Sequence, residues 1–262
     1  MKILIIGVCQ ANDIGHGFWL PELRDKFRTR IHGFNVQPSK EAQNEAVEAD
    51  IVIIQQHKEW KHYPYKEEVY SRSEVIRLPH LAIMSLWPYD CEHWKMDYVA
   101  AANHQGTYHL DGMLGKLRES IPDPSDRLEA YRLAVTVDDN FRLWEIEQRR
   151  LISVDSEFGT TVGRFIINNL QNRRLFHSSH HPAAPLYSQL MNDIFDRIGI
   201  KLRCPEDYPQ LDNWRTHQVP IHPVVINALK LTWVTQTDRY HFHPYEPLTW
   251  EEYTKGYIKL YG

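Results

Sequence analysis

The chain has 262 residues, of which 42% are hydrophobic and 24% charged, and this ordinary composition argues against a disordered or membrane-spanning protein. Its net charge of -4 and the absence of a long Lys/Arg block argue against binding to nucleic acid or to anionic lipid. Three widely separated cysteines, Cys9, Cys91 and Cys204, form no C-x-x-C pair, so we expect a reducing, cytoplasmic environment rather than a disulfide framework.

The N-terminal part of the sequence predicts alternating strands and helices. An apolar run at residues 3–6 ends at Gly7, which is the pattern of a buried, central parallel strand. The elements expected after it are a loop at 8–17, a helix at 18–27, a strand at 31–36, a helix at 39–49 capped by Ser39, and a buried strand at 50–55. This β-α-β-α-β order predicts a parallel sheet with helices packed on it.

The rest of the sequence combines aromatic loops with helices. Residues 57–70 resemble a long surface loop of the kind that lines a pocket, and residues 81–85 predict a fourth strand. Beyond them we expect helices at 127–135, 140–151, 161–170, 185–198 and 224–231, and a strand at 174–176. The predicted fold class is α/β, with an open, mostly parallel sheet flanked by helices that is Rossmann-like or SGNH-like in its first half. We expect a single domain, 1–262, with a mainly helical insertion around 107–170.

Cys9 is the strongest candidate for a catalytic residue. Ligands of an open α/β sheet bind beyond the carboxyl ends of its strands, and Cys9 follows the first strand in the segment Gly7-Val-Cys-Gln10. If the turn brings Cys9 to the N-terminus of a helix, the helix dipole favours the thiolate, which is the nucleophilic form. Backbone amides and the Gln10 side chain are candidate donors to an oxyanion. The alternative is a small structural cysteine packed under a loop.

A histidine-rich connection supplies candidate general bases. His177, His180 and His181 lie in the segment Leu175-Phe-His-Ser-Ser-His-His-Pro182, between a predicted strand and a predicted helix. Any of the three is able to act as a general base for Cys9. The alternative is a set of exposed loop histidines, or a segment that caps the following helix.

The residue types of the same connection bear on two kinds of cofactor, a metal ion and a phosphate-bearing group. Zinc would need these histidines together with His241 or His243, but the H-x-x-H-H spacing does not match a metalloprotease helix and no cysteine pair completes a site, so we predict no metal. Arg173 and Arg174 come just before the connection, and guanidinium groups match phosphate oxygens. These arginines, with His177, are therefore candidates for holding the phosphates of a cofactor; the alternative, which is the commoner case, is a pair of exposed arginines on a helix–strand connection.

Four segments occur in an order that is similar to a known family. They are the Gly-x-Cys-Gln turn and residues 49–55, 174–182 and 220–225. Together they resemble the WcbI-type polysaccharide biosynthesis acetyltransferases of bacterial capsule clusters. The resemblance covers most of the chain loosely and these segments more closely.

The resemblance implies an acyltransferase that uses coenzyme A, in the form of acetyl-CoA, and a hydroxyl of a sugar or polysaccharide precursor as acceptor. It implies that Cys9 is the nucleophile, that Gln10 follows it in the site, and that His181 is the family's histidine. This sequence departs from the family pattern at Val8 and at His180, where the family often has asparagine. His180 is therefore a competing base, and the sequence identifies no carboxylate that orients the histidine.

Several functions are compatible with these residues. In the favoured mechanism a histidine deprotonates Cys9, the thiolate takes the acyl group, and a sugar hydroxyl accepts it. Direct attack of the hydroxyl on acyl-CoA is a variant. The same residues with water as acceptor would make a cysteine-dependent ester hydrolase, and the aromatic residues would also suit a non-catalytic carbohydrate- or nucleotide-binding protein.

Overall fold

The computed structural model describes residues 1–72, 74–90, 111–242 and 246–261, and its chain divides into two compact units. The first unit comprises Met1–Leu81, Ile152–Phe165 and Ala183–Asn213, and the second comprises Ala82–Leu151, Ile166–Pro182 and Trp214–Gly262. Cys91, His243 and the first residues of the predicted insertion, 107–110, lie outside the described residues. The prediction of a single domain stays a prediction.

The first unit contains a parallel sheet with the strand order β2-β1-β3-β4. Its strands are β1 (Lys2–Gly7), β2 (Arg28–Gly33), β3 (Ile51–Gln55) and β4 (Glu74–Leu78). All three pairings are parallel, with Ile5 opposite Ile31 on one side and Ile53 on the other. The predicted α/β class with a parallel sheet is confirmed.

Helices cover both faces of this sheet because β1 and β3 are apolar on both sides. Leu4, Ile6, Val52 and Ile54 pack with the side chains of α2 (Lys40–Glu48) in one buried cluster. The side chains between them along each strand point to the opposite face, where α1 (Cys9–Gly17) packs. A Cβ atom on Gly15 of α1 would lie only 2.5 Å from Ile31 Cδ1, so this glycine lets the helix approach the sheet closely.

The remaining helices follow in chain order. They are α3 (Lys66–Arg72), α4 (Gly112–Ser120), α5 (Pro124–Ala134), α6 (Val137–Phe158), α7 (Val162–Asn169), α8 (Ala184–Arg197), α9 (Pro223–Ala228) and α10 (Trp250–Tyr261). Short 3₁₀ helices occupy Lys58–His62 and Pro209–Leu211, and a small antiparallel pair is formed by β5 (Phe176–Ser178) and β6 (His181–Pro182). The second unit has an aromatic cluster in which Tyr131 and Trp250 stack with their ring centroids 5.9 Å apart.

Four predicted elements are wrong. The loop expected at 8–17 contains helix α1, and the helix expected at 18–27 is a series of turns. No strand forms at 81–85; the fourth strand is Glu74–Leu78. The predicted loop at 57–70 contains a 3₁₀ helix and the start of α3.

Candidate functional site

Cys9 is the first residue of α1 and directly follows the end of the central strand β1. The chain crosses from β2, on one side of β1, to β3, on the other side, so the carboxyl ends of β1 and β3 lie where the strand order reverses. Ligands of open α/β sheets bind at this reversal point. The structure therefore places Cys9 at the position in its unit where the fold favours a ligand.

Gly7 and Gln55 set the geometry of the turn before Cys9. A Cβ atom on Gly7 would lie 2.7 Å from Gln55 Oε1, a distance too short for any other residue type without a shift of the neighbouring side chain. The same Oε1 accepts the backbone N–H of Val8 at 3.0 Å. A side chain of β3 thus fixes the turn that presents Cys9.

The side-chain amide of Gln10 is hydrogen-bonded to two other segments of the first unit. Its Nε2 donates to the carbonyl of Leu81 at 2.7 Å, and its Oε1 accepts from Gln55 Nε2 at 2.7 Å and from the N–H of Leu81 at 3.0 Å. The residue is only 1% exposed. The side chain of Gln10 thus connects α1 with β3 and with the segment after β4, and its predicted role as a donor to an oxyanion stays a prediction.

The surroundings of the Cys9 thiol raise its pKa. Burial raises its pKa above the ordinary value and the nearby carboxylate of Asp13 raises it further, whereas the backbone amides of Gln10 and Cys9 lower it. Burial and Asp13 together outweigh the amides, so the net change in the pKa is upward. The predicted position at a helix N-terminus is confirmed, but the expected stabilisation of the thiolate is not, because burial and a carboxylate one turn along the helix outweigh the amides.

Asp13 is a buried residue of the site that the sequence did not identify. Its Oδ2 accepts from the hydroxyl of Tyr187 at 2.7 Å, and its Oδ1 accepts from the side-chain amide of Asn213. Burial and this carboxylate raise the pKa of Tyr187 well above its usual value. The i, i+4 spacing of Cys9 and Asp13 brings two side chains together only on a helix. Because the sequence predicts a loop at 8–17, this spacing does not identify Asp13.

The histidine segment lies in the second unit, on β5 and β6. The imidazole of His177 is buried, and its backbone carbonyl accepts the N–H of Val219 at 2.8 Å. His181 is half-buried, with its Nδ1 2.6 Å from the hydroxyl of Ser178 and its ring stacked on Trp214 at a centroid distance of 3.8 Å. A serine hydroxyl and an indole therefore fix the orientation of the His181 ring.

His180 has a carboxylate partner that the sequence did not reveal. Its Nε2 lies 3.7 Å from Asp90 Oδ2, and the same oxygen accepts a hydrogen bond from the hydroxyl of Ser179. Asp90 is about ninety residues away in the sequence, and no local pattern marks it. His180 thus lies beside a carboxylate, and His181 is oriented by Ser178.

The two predicted phosphate ligands have different surroundings. The guanidinium carbon of Arg174 lies 4.9 Å from the ring centroid of Trp233 and 5.6 Å from that of Tyr240, in cation–π geometry. Arg173 is half-buried at the end of the turn after α7, and its N–H donates to the carbonyl of Asn169. Arg174 is thus used in packing, and phosphate binding by either arginine stays a prediction.

The family model for the polysaccharide biosynthesis enzyme WcbI matches residues 2–203, which is most of the chain. The chain belongs to the WcbI family. A solved structure of WcbI superposes with a TM-score of 0.74 and 14% sequence identity, covering 99% of this chain and 89% of that one. It is described as a native protein without a disulfide bond between coenzyme A and a cysteine. No curated protein matches the chain.

The described part of this WcbI family member has neither a metal cluster nor a membrane span. Among those residues, no group of three or more His, Cys, Asp or Glu side chains is arranged to hold a metal ion. None of the helices described is long and apolar enough to cross a bilayer.

Proposed function

We propose that this protein is an acyltransferase that transfers an acetyl group from acetyl-CoA to a sugar hydroxyl in polysaccharide biosynthesis, such as that of a capsule. The observation that carries the proposal is Cys9 at the strand-order reversal, beside the backbone amides of Cys9 and Gln10. Membership of the WcbI family supports the pathway. The description of a solved WcbI in terms of coenzyme A and a cysteine supports the donor and the nucleophile.

The first half-reaction acylates Cys9. A histidine of the connection, His181 or its competitor His180, takes the proton of the thiol, and the thiolate attacks the thioester carbonyl of the donor. The electron pair moves onto the carbonyl oxygen, which the amides at the start of α1 stabilise. Collapse of this intermediate breaks the bond to the sulfur of coenzyme A, and the imidazolium returns the proton to that sulfur.

The second half-reaction transfers the acyl group to the acceptor. The neutral imidazole takes the proton of a sugar hydroxyl, whose oxygen attacks the thioester carbonyl on Cys9. The new C–O ester bond forms, the C–S bond breaks, and the thiolate of Cys9 recovers the proton from the imidazolium. The free thiol is the form that a raised pKa favours between turnovers.

The test compares Cys9→Ala, at a half-buried cysteine, with Cys204→Ala, at a buried cysteine of the same unit. Cys9→Ala should lower turnover by about 1000-fold or more and abolish the acetyl adduct on the Cys9 peptide in mass spectrometry. Cys204→Ala should leave the turnover and the acetyl adduct on the Cys9 peptide unchanged. Full activity of Cys9→Ala would overturn the covalent mechanism.

The acceptor is tested by following free coenzyme A in the wild-type protein. Its release beyond one equivalent should require a sugar acceptor, because deacylation of Cys9 needs the hydroxyl. Continuous release without any sugar would identify a hydrolase instead. No release and no adduct under either condition would overturn the proposed function.

A further inference from the structure

A cleft of about 640 Å³ opens in the first unit at the carboxyl ends of β3 and β4. We call it the β3–β4 cleft; its lining includes Lys58, Trp60, Tyr70, Arg77 and the imidazoles of His57 and His80. Most of these side chains come from the segment at 57–70, which the sequence predicts to line a pocket. The favoured mechanism uses none of them.

The β3–β4 cleft is cationic although the chain as a whole is acidic. Among the described residues, Lys58 and Arg77 line it and no carboxylate does. Lys58 is exposed and forms no ion pair with the described residues. Arg77 is 56% exposed on its side chain, and Glu157 lies 3.5 Å away and offsets part of its charge. The cleft therefore retains positive charge that is available to an anion.

An aromatic ring is held at the edge of the same cleft. Tyr70 is 57% exposed, and its hydroxyl accepts a hydrogen bond from Trp60 Nε1 at 2.8 Å. Trp60 is itself stacked on Tyr63, with ring centroids 5.3 Å apart and planes 17° from parallel. Tyr70 is thus a solvent-facing ring in a fixed position, which is what stacking of a planar base requires.

Two other grooves of the first unit lack this combination. The groove at the amino ends of β1 and β2 has cations, of which Lys2 pairs with Glu48 and Arg30 pairs with Glu45, but no aromatic side chain among the described residues lines it. Among the same residues, the groove at the carboxyl ends of β1 and β2 is lined by Glu59 and by no lysine or arginine. Of these three, the β3–β4 cleft is the one with uncompensated positive charge beside an exposed ring.

The geometry points to a nucleoside phosphate as the ligand of the β3–β4 cleft, with its base stacked on Tyr70 and its phosphates on Lys58 and Arg77. This inference rests on the proposed function, which has two possible sources of such a group: the nucleotide part of coenzyme A, or a nucleotide-activated sugar. In a parallel sheet the end of β4 lies two strand spacings, about 10 Å, from the end of β1. An extended donor anchored in the cleft is therefore able to direct its thioester toward Cys9.

The experiment is calorimetric titration of the full chain with 3′-phosphoadenosine 5′-diphosphate and, separately, with uridine diphosphate. Neither probe has a thiol or an acyl group, so binding does not depend on Cys9. Lys58→Ala should weaken binding about fivefold to tenfold, and Tyr70→Ala about tenfold. Lys61→Ala is the matched control, since Lys61 is an exposed lysine of the same 3₁₀ helix that does not line the cleft.

Each outcome decides the inference. Tighter binding of the adenosine probe identifies the donor as the source, and tighter binding of the uridine probe identifies an activated sugar. No binding of either probe, or equal losses in Lys58→Ala and Lys61→Ala, overturns the inference. Acetyl transfer from acetyl-pantetheine, which has no nucleotide, tests the proposed function separately. A loss of nucleotide binding in the β3–β4 cleft is therefore distinguishable from a loss of acyl transfer at Cys9.

Discussion

At the scale of single residues, opposing influences act on the thiol of Cys9. The amides at the start of α1 lower its pKa, but burial and Asp13 raise it by more. A cysteine kept as the thiol reacts slowly with oxidants and alkylating agents, because the thiolate is the reactive species. The arrangement favours a nucleophile that gains its reactivity only when a base removes the proton.

The effect of Asp13 on Cys9 is directly testable. Asp13→Asn removes the negative charge while keeping the size of the side chain, so the pKa of Cys9 should fall. The rate of alkylation by iodoacetamide, followed on the Cys9 peptide by mass spectrometry, should then rise at a lower pH than in the wild type. Asp25→Asn is the control, because it removes the same charge from an exposed side chain of the same unit.

An unchanged pH profile in Asp13→Asn would show that Asp13 does not act on the sulfur. Cys204 provides an internal reference in every sample, since burial raises its pKa to about 11. Alkylation of Cys204 should therefore stay slow in all variants at neutral pH.

At the scale of elements, the sequence predicts the strands that pack through their own apolar residues. Residues 3–6 and 51–54 are continuous apolar runs, and both lie in central strands. Helix α2 is also predicted, because Ser39 accepts the N–H of Ala42 as an N-cap. These elements are local, so a local pattern is enough to identify them.

The segment at 81–85 shows why a local pattern fails. It is apolar, as a strand would be, but its amides bond to groups far away in the sequence. The N–H of Ile83 donates to the carbonyl of Ser179 at 2.8 Å, and that of Ser85 to the carboxylate of Glu147 at 2.7 Å. Nothing within the segment indicates that its partners are side chains and a loop rather than a strand.

Helix α1 is a regular element that forms where the local sequence predicts none. It contains Gly15, Gly17, Asn12 and Asp13, which are weak helix formers, and its propensity alone predicts a loop. Packing decides the outcome, because the glycines allow close contact with Ile31 on one side and with Met191 on the other. The histidine segment was predicted as a connection between a strand and a helix, whereas His177 lies on β5 and His181 on β6. The partners Asp90 and Trp214 are distant in the sequence and carry no signal.

Glu147 should be essential to the stability of the second unit. Its buried carboxylate accepts from the amides of Met84 and Ser85 and lies 3.0 Å from the guanidinium of Arg150. Glu147→Gln should lower the free energy of unfolding by about 2 kcal/mol, because charge-assisted hydrogen bonds are lost and a donor replaces an acceptor. Denaturant titration measures the change.

The matched control is Glu145→Gln, which makes the same substitution at an exposed position of the same helix and should change the free energy of unfolding by less than about 0.5 kcal/mol. Equal effects of the two substitutions would show that the bonds of Glu147 to Met84 and Ser85 do not stabilise the fold.

At the scale of the whole molecule, His222 should make stability depend on pH. Its ring is 5% exposed and packs against Trp250, and its Nδ1 accepts the N–H of Val224 at 3.1 Å. Burial, with a smaller contribution from Arg132, lowers its pKa to about 4, although the carbonyl of Tyr131 opposes the change. Between about pH 6.5 and pH 4 the unfolded chain binds a proton that the folded chain does not.

Stability should therefore fall as the pH falls through this window, by up to about 3 kcal/mol for this one group. His222→Asn keeps an N-capping side chain but cannot titrate, so it should show a smaller loss of unfolding free energy between pH 6.5 and pH 4. His241→Asn, at an exposed histidine, should behave as the wild type does. If the unfolding free energy of wild type and of His222→Asn fell equally between pH 6.5 and pH 4, His222 would not be the group responsible for the loss.

The bond between Asp13 and Asn213 has a consequence for biosynthesis of the protein. Its two residues are 200 positions apart, and Tyr187, the other partner of Asp13, is also made late. At translation rates of about 5–20 residues per second, Asp13 waits about 10–40 s for Asn213 to be added. The buried environment that raises the pKa of Cys9 is completed only after that interval, so the nascent chain passes through a period in which Cys9 is an ordinary, more readily modified thiol.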